Sequence, residues 1–353
     1  MIQHGAMNLR VTVLSIIAVV ALCAVPWRAS AQYNEPLLGQ YYEMPAFYNP
    51  GAIGLSDRIR VRAGARLQWI GINRAPVSVI GTADMPLKLG RRRMAVGLSL
   101  QQESYGLFRN FTGAALVGYK VMLLGGTLTS GLRIGLLNQS FRGSEVYIPD
   151  DDDYHQSDDD AIPTVDVGGN ALDLGLGLHY ERRGWYAGAA LLHANAPTVS
   201  FNSEGLGSGT VNDSRADGTD DSTAPETTQY YEFPVDRTLY FIVGGNIPVK
   251  NTLIEVMPSV IAVSDFNDFT GIATCRLRYN KLVSGGLSYR YREAVALHLG
   301  VELKNFYAGY TYEYPVNDIG RASSGSHELI AGYSFKLDLS DKNRNKQKSI
   351  RIL

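Results

Sequence analysis

From about residue 57 to residue 337 the chain alternates apolar residues with small or charged ones at a period of two. Successive side chains of a strand point to opposite faces, whereas a helix repeats every 3.6 residues and would scramble the two sets. In Val295–Lys304, Val295, Leu297, Leu299, Val301 and Leu303 share one face, and Ala296, His298, Gly300, Glu302 and Lys304 share the other. Ile59, Val61, Ala63, Ala65, Leu67 and Trp69 alternate with Arg58, Arg60, Arg62, Gly64, Arg66 and Gln68. Leu172, Leu174, Leu176, Leu178 and Tyr180 alternate with Asp173, Gly175, Gly177, His179 and Glu181.

Alternation alone fits a soluble sandwich as well as a membrane barrel. The polar faces separate the two. They combine glycine with charge, which suits a wet or plugged lumen, and the segments run to roughly 10–13 residues where about 9–11 cross a tilted barrel wall. Aromatic residues such as Trp69, Tyr180, Tyr291 and Tyr314 fall toward strand ends, as interface girdles require. After the N-terminal leader no apolar run reaches the ~18 residues of a helical span. The reading is all-β: an outer-membrane barrel of about fourteen antiparallel strands. The strands fall near 57–69, 77–85, 93–103, 111–121, 127–140, 171–181, 184–195, 237–249, 252–263, 268–280, 282–292, 295–304, 305–314 and 326–337.

The connections sort by length. Those after even-numbered strands are short, as at Glu181-Arg182-Arg183-Gly184, Lys250-Asn251, Asn280-Lys281 and Lys304-Asn305. The long ones, near 141–170, 196–236 and 315–325, all follow odd-numbered strands. Barrels of the outer membrane have short periplasmic turns and longer outer loops.

The termini complete the layout. Arg10, an apolar stretch from Val11 to Val25 and Ala29-Ser30-Ala31 read as a cleavable signal peptide over residues 1–31, with the mature chain beginning at Gln32. Residues 32–56 are expected as an N-terminal periplasmic segment, 57–337 as the barrel, and 338–353 as a basic periplasmic tail carrying Lys342, Arg344, Lys346, Lys348 and Arg351. Removal of Cys23 with the signal leaves Cys275 alone, so no disulfide is expected within the chain. The formal net charge of −1 gives no global field toward nucleic acid.

Three groups of residues are candidates for sites. Asp150, Asp151, Asp152, Asp153, Asp158, Asp159 and Asp160 are a weak candidate for Ca²⁺, a cation that takes oxygen ligands; the EF-hand glycine and closing Glu are absent, and a solvated acidic loop reads the same. Arg58, Arg60, Arg62 and Arg66, with Arg290 and Arg292, are expected to point into the lumen. There they select anions, seat an acidic plug, or pair with inward acids such as Asp173, Glu181 and Glu302. No G-x-S-x-G elbow or zinc-type histidine spacing occurs, so neither an enzyme nor a cofactor is expected.

Two regions resemble a known family. Gln40-Tyr41-Tyr42, Tyr48-Asn49-Pro50-Gly51 and Arg66-Leu67-Gln68-Trp69, followed by Ala75-Pro76, are similar to the opening of PorP/SprF membrane proteins of the type IX secretion system, known from Bacteroidetes. Gly325-Ser326-His327-Glu328, leading into Tyr333-Ser334-Phe335, is similar to the family's closing strand. Gly51 stands where many members carry alanine, and the loops at 141–170 and 196–236 look enlarged. The resemblance implies a barrel in the cell outer membrane that works with periplasmic ring components of the secretion system or with a secreted adhesin or protease, in some relatives linked to gliding motility. On this reading Pro50 and Gly51 turn the chain sharply into the first strand from the periplasm, and His327 and Glu328 make polar contacts at the seam between the last strand and the first. The alternative is a general or anion-selective porin. The two readings differ in one respect: a docking subunit is expected to have its lumen blocked by side chains or by an N-terminal segment, and a porin to have it open.

Overall fold

The computed structural model describes residues 35–90, 92–146, 165–202 and 230–337. The expected signal peptide, the acidic loop Asp150–Asp160 and the basic tail lie outside these residues.

The wall is a closed antiparallel barrel of fourteen strands. In chain order the strands are β1 (Arg58–Leu67), β2 (Val77–Leu89), β3 (Arg92–Tyr105), β4 (Phe108–Leu123), β5 (Gly126–Arg142), β6 (Asp166–Arg182) and β7 (Trp185–Leu192). A small hairpin follows, β8 (Thr198–Asn202) and β9 (Tyr230–Pro234). The wall resumes with β10 (Thr238–Gly245) and β11 (Ile247–Pro248), which are two parts of one strand broken at Asn246, since both pair with β12 (Ile254–Ser264). It ends with β13 (Phe269–Tyr279), β14 (Val283–Arg290), β15 (Ala294–Leu303), β16 (Phe306–Pro315) and β17 (Ser326–Lys336). Each wall strand pairs with its chain neighbour, and β1 pairs with β17 from Arg58↔Lys336 to Leu67↔His327. Closure leaves no edge, which is what lets a sheet stand in hydrocarbon, where an unpaired backbone group has no water to turn to.

The faces sort as the alternation requires. Leu287 (66% exposed), Leu329 (63%), Leu136 (65%) and Leu98 (58%) point outward, where lipid stands in place of water. Their chain neighbours Ser288, Glu328 and Ser99 are buried inside. Exposed Trp185, Tyr279, Tyr333 and Phe335 lie toward one rim, and Phe111, Tyr289 and Tyr314 toward the other. At the first rim the turns are tight. Leu124-Gly125, Arg183-Gly184 and Asn280-Lys281 each have positive φ at both central residues, the geometry that matches the twist of a two-residue hairpin. At the opposite rim stand the long connections. By the rule for outer-membrane barrels, the short-turn rim faces the periplasm.

Two features depart from the sequence expectation. The connection near 196–236 carries the hairpin β8–β9, whose Val199 and Phe201 pack on Leu137 and Val167 at the long-loop end of the wall. The larger departure concerns residues 35–56, the described part of the 32–56 segment expected to hang in the periplasm. They run through the lumen. Leu38, Tyr41, Met44, Phe47, Tyr48 and Ile53 are fully or almost fully buried there. The physical reason is the apolar content of the segment: a fourteen-strand wall encloses more space than its inward side chains fill, and an apolar stretch inside it leaves water. A 3-10 turn at Tyr41–Glu43 and one helical turn at Pro45–Tyr48 compact the segment, the latter started by proline at its first position. Its Glu35 end lies toward the long loops, beside His193, and its Asp57 end joins β1 at the short-turn rim.

The wall makes room for this plug with glycine. A Cβ at Gly131 would collide with the Pro50 carbonyl, and one at Gly177 with Asn49 Oδ1. At Gly131 the collision is with plug backbone, and at Gly177 the Asn49 amide is tethered by its hydrogen bonds to Leu178 and Gly51, so the plug must move. The double variant Gly131→Val/Gly177→Val is expected to keep its barrel, seen as retained heat-modifiable mobility on a gel, at an overpacking cost of about 1–3 kcal/mol per site. It should also displace residues 49–51 and show ion conductance in planar bilayers where the parent is silent. A silent double variant would mean that the plug tolerates those side chains.

Candidate functional site

The plug and the wall that grips it form the site. At its upper end, Glu35 accepts a hydrogen bond from the Tyr240 hydroxyl (2.8 Å) and lies 3.1 Å from His193 Nε2. Arg133, on the inward face of β5, stands 3.9 Å from Glu35 and 3.3 Å from Asp173. His193 Nδ1 lies 2.9 Å from Asp173. Burial alone would push the Glu35 carboxyl up; His193 and Arg133 outweigh it and hold the group at about 2. Burial alone would push His193 down; Glu35 and Asp173 outweigh it and raise the imidazole to about 9. The seat of the plug's upper end is thus a buried ion cluster.

Further along, the backbone N–H of Gly39 donates to both carboxylate oxygens of Glu328, at 3.0 and 2.8 Å. Glu328 also binds Arg66, its partner across the β1–β17 seam. Arg66 reaches Glu313 at 2.7 Å, and Glu313 takes Arg290 at 2.9 Å. Arg290 in turn donates to the Leu37 carbonyl (2.8 Å). Gln40 is held on both sides, donating to Thr311 (2.9 Å) and accepting from Tyr307 (2.6 Å). Arg276 lies over the ring of Tyr42, 3.2 Å from its centroid, and 3.4 Å from Glu43. Tyr41 donates to Ser259 at 2.8 Å. Lower down, Asn49 donates to the Leu178 carbonyl (2.9 Å) and accepts from Gly51 N–H (2.7 Å), and Asp84 accepts from Gly54 N–H (2.6 Å). Glu35 and Glu43 of the plug each meet an opposite charge on the wall, as a buried ion must if it is to stay ionised.

The residues singled out from sequence fall into place unequally. Arg60 points inward and pairs with Asp84 at 3.1 Å. Arg62 lies 3.8 Å from Glu43 and over the Tyr307 ring. Arg66 and Arg290 share Glu313. Arg58 sits at the short-turn rim, bound to Asn305 at 2.9 Å. Arg292 is not in the lumen: it is exposed in the turn after β14, with φ of 58°, and this left-handed residue ends the alternation that predicted it inward. The inward arginines pair with Asp84, Glu43, Glu313 and Glu328, whereas Asp173 serves Arg133 and His193, and Glu302 lies 3.9 Å from Arg278. Asn49 and Pro50 turn the chain inside the lumen against Gly131 and Gly177, not in the periplasm, and those glycines leave the space that the proline carbonyl and the amide occupy.

The opening and closing sequence motifs meet. Arg66 and Glu328 are register partners, Ser326 accepts from the Trp69 N–H at 3.1 Å, and the Ile70 N–H donates to the Gly325 carbonyl at 2.8 Å. Gln68 accepts from Arg66 at 3.4 Å. His327 faces outward and bonds Tyr310 on β16 (2.7 Å), so of the pair only Glu328 works at the seam. Trp69 stands just beyond the long-loop end of β1. Glu35, Glu43, Arg133, His193, Arg276 and Glu313 are site residues that the sequence reading missed. A signal existed for three of them: Arg133 and Glu313 are lone inward charges on their strands, and Arg276 shares the inward face of β13 with Arg278.

The sequence profile described as type IX secretion system membrane protein PorP/SprF matches residues 30–333. No curated protein matches the chain. Among solved structures, the Ralstonia pickettii toluene transporter TbuX is similar at 10% identity over 85% of this chain and 94% of that chain, with a TM-score of 0.45. The P. putida toluene transporter TodX is similar at 9% identity over 84% and 94%, with a TM-score of 0.46. A Pseudomonas aeruginosa FadL homologue is similar at 9% identity over 83% and 94%, with a TM-score of 0.45.

Two predictions follow from the site. Glu35 is held below its ordinary 4.5, so its contribution to stability is complete above about pH 4.5 and is lost as pH falls through about 2. His193 is held above 6.5, so its contribution is complete below about pH 6.5 and is lost as pH rises through about 9. Thermal midpoints should therefore be flat from about pH 4.5 to 6.5 and fall toward pH 10, and His193→Gln should remove that alkaline fall; an alkaline limb unchanged in the variant would refute the assignment. Glu328→Gln should cost about 3–5 kcal/mol in urea unfolding, the range for removing one partner of a buried ion pair, and a loss below 1 kcal/mol would show that Glu313 alone suffices for Arg66.

Proposed function

The chain belongs to the PorP/SprF family of type IX secretion system membrane proteins, and from that premise we propose that it acts as a plugged docking subunit of the secretion apparatus. It is an outer-membrane β-barrel of the type IX system. What the subunit does there is the proposal: it holds a periplasmic apparatus protein or a secreted cargo at its short-turn face and conducts nothing.

One observation carries this reading. Residues 35–56 occupy the lumen and are fixed to β6, β12, β14, β16 and β17 by Asn49, Tyr41, Leu37, Gln40 and Gly39. A porin works through a continuous water column, and its conductance falls steeply with the free cross-section. A barrel occupied this way has other work, and its outward face offers lipid no chemistry beyond anchoring. The remaining surfaces are the two rims, and the short-turn rim faces the compartment in which apparatus proteins and exported cargo are met.

The test is deletion of the encoding gene, with the secreted and surface proteomes compared between deletion strain and parent. The expected result is loss of a defined set of exported proteins, restored by the wild-type allele supplied in trans. The purified protein should also be electrically silent in planar bilayers. An unchanged secretome together with altered uptake of small solutes would return the porin reading.

A further inference from the structure

At the long-loop rim, on the lipid-facing side of the wall, lies a groove that neither the plug nor the seam uses. Leu67, Val77, Ser104 and Arg109 are register partners in one row across β1, β2, β3 and β4. Leu67, Val77 and Arg109 are exposed there, in phase with the lipid-facing Val61, Val79 and Phe111 of the same strands. Beyond the row stand the β1–β2 connection and the turn after β3, joined by the Gly106 N–H, which donates to the Arg74 carbonyl (3.0 Å). Between them opens a cavity of about 560 Å³, in the range of a specific binding pocket. Its frame is fixed. The Ser324 N–H donates to the Ile70 carbonyl (2.8 Å) and the Arg142 N–H to the Leu107 carbonyl (3.1 Å). Trp69 and Arg74 are held at φ of 50° and 57°, a strained backbone for residues with a side chain.

The lining has two chemistries. Leu67, Trp69, Ile70 and Val77 make an apolar side, and Arg74, Arg109 and Arg142 a cationic one, with Glu145 the one carboxylate among the lining residues. Arg74 and Arg142 both reach Glu145, at 3.3 and 2.7 Å, and Arg142 is also the register partner of Asp166. Arg109 faces Ser104 and Ser140 in register, and Arg142 stands two positions beyond Ser140. Three guanidinium groups thus face two carboxylates. The pairs are exposed, so they hold weakly. An arginine bound to one carboxylate oxygen also keeps most of its five N–H donors for a second anion.

We propose that this groove holds a phosphorylated glycolipid of the outer leaflet, of the lipid A type, with a phosphate set among Arg74, Arg109 and Arg142 and acyl chains lying on the wall below Leu67 and Val77. Arginine forks match phosphate oxygens two at a time, which makes three of them at one rim a phosphate seat. The position selects the lipid. Arg109 sits on the same face as Phe111 and two residues from it, so the cations begin where the apolar band ends. A ligand that satisfies both sides is an amphiphile with an anionic head; a free anion has no use for the apolar side. The long-loop rim faces away from the periplasm, which places the head in the outer leaflet. The groove lies at the opposite rim from the docking face, so a secretion phenotype neither supports it nor removes it.

The experiment uses the full chain, purified in a neutral detergent and titrated with bisphosphorylated lipid A, with bound lipid counted by native mass spectrometry. The parent should bind the lipid saturably, and lipid A stripped of its phosphates about tenfold more weakly or worse. Inorganic phosphate in large excess should not displace it. Arg109→Glu/Arg142→Glu should weaken binding by about tenfold or more, each reversed charge turning an attraction into a repulsion. Arg292→Glu, which reverses an exposed arginine of the same rim on the turn after β14, should bind within about twofold of the parent, as charges beyond a screening length contribute little. Replacing Asp150–Asp153 and Asp158–Asp160 by asparagine should also leave binding within about twofold. Heat-modifiable mobility reports that each variant is folded. Equal binding by the Arg109/Arg142 variant, equal losses in that variant and Arg292→Glu, equal binding of the phosphate-free lipid, or displacement by inorganic phosphate each overturns the proposal. So does a gain in the asparagine variant of about tenfold, which would make the chain's own carboxylates the occupant of the groove.

Discussion

One buried carboxylate ties the molecule together. Glu328 pairs with Arg66 across the seam where the last strand meets the first, and it accepts the Gly39 N–H of the plug. The seam closes the wall, and closure is what a sheet in lipid requires, since an open edge would leave backbone groups unpaired in hydrocarbon. The plug fills the interior that closure creates. Because both meet at the same side chain, wall and plug are coupled directly. Arg66 extends the coupling to Glu313, and Arg290 carries it back to the plug at Leu37. Breaking a link leaves a buried ion without its partner, which costs more than the pair contributes, so the network behaves as a unit.

This coupling explains why the two ends of the sequence carry the residues that resemble other proteins. Arg66-Leu67-Gln68-Trp69 and Gly325-Ser326-His327-Glu328 are far apart in the chain and adjacent in space. Gly325 takes a φ of 101°, and a side chain there would also strike Glu313 O. Ser326 holds the Trp69 backbone, and Glu328 holds Arg66. Both motifs are the two halves of one seam, and the Asn49-Pro50-Gly51 turn is the part of the plug that needs the glycine sockets at 131 and 177.

The fourteen wall strands were legible because lipid enforces the alternation. Leu297 and Leu299 must face hydrocarbon, His298 and Gly300 must not, and the period of two is written into β15 without interruption. The same rule misplaced Arg292, since periodicity carries no mark of the left-handed turn residue that ends it. The docking reading expected a lumen blocked by side chains or an N-terminal segment, but the course of the plug was not legible in the pattern: Leu37–Ile53 meets wall on every side, so its apolar residues show no period, and Pro45 and Pro50 read as loop. The hairpin β8–β9 is five residues on each side, too short for alternation to stand out from a polar connection. Of the site, the inward arginines were readable as charges among apolar neighbours. Their partners were not, because pairing runs across strands far apart in sequence, as from Arg66 to Glu313, and only the closed wall brings them together.

The direction of the plug follows from how it is attached. It joins the wall at the short-turn rim, through Asp57 and Arg58, and its other described end, Glu35, lies beside His193 toward the long loops. The described residues 35–56 make a single pass along the lumen. What resists withdrawal is the ion cluster of Glu35, His193, Asp173 and Arg133 at the top, the Glu328 clamp in the middle and the glycine sockets at the bottom. Each is a set of directional contacts that a displaced plug loses together. The buried tyrosines reinforce this: Tyr41 and Tyr240 keep their hydroxyls bonded only while the plug is seated. The lumen is therefore held shut by polar contacts that specify one position within an apolar packing that would tolerate several, and the specificity of the seat, more than its depth of burial, fixes the plug in place.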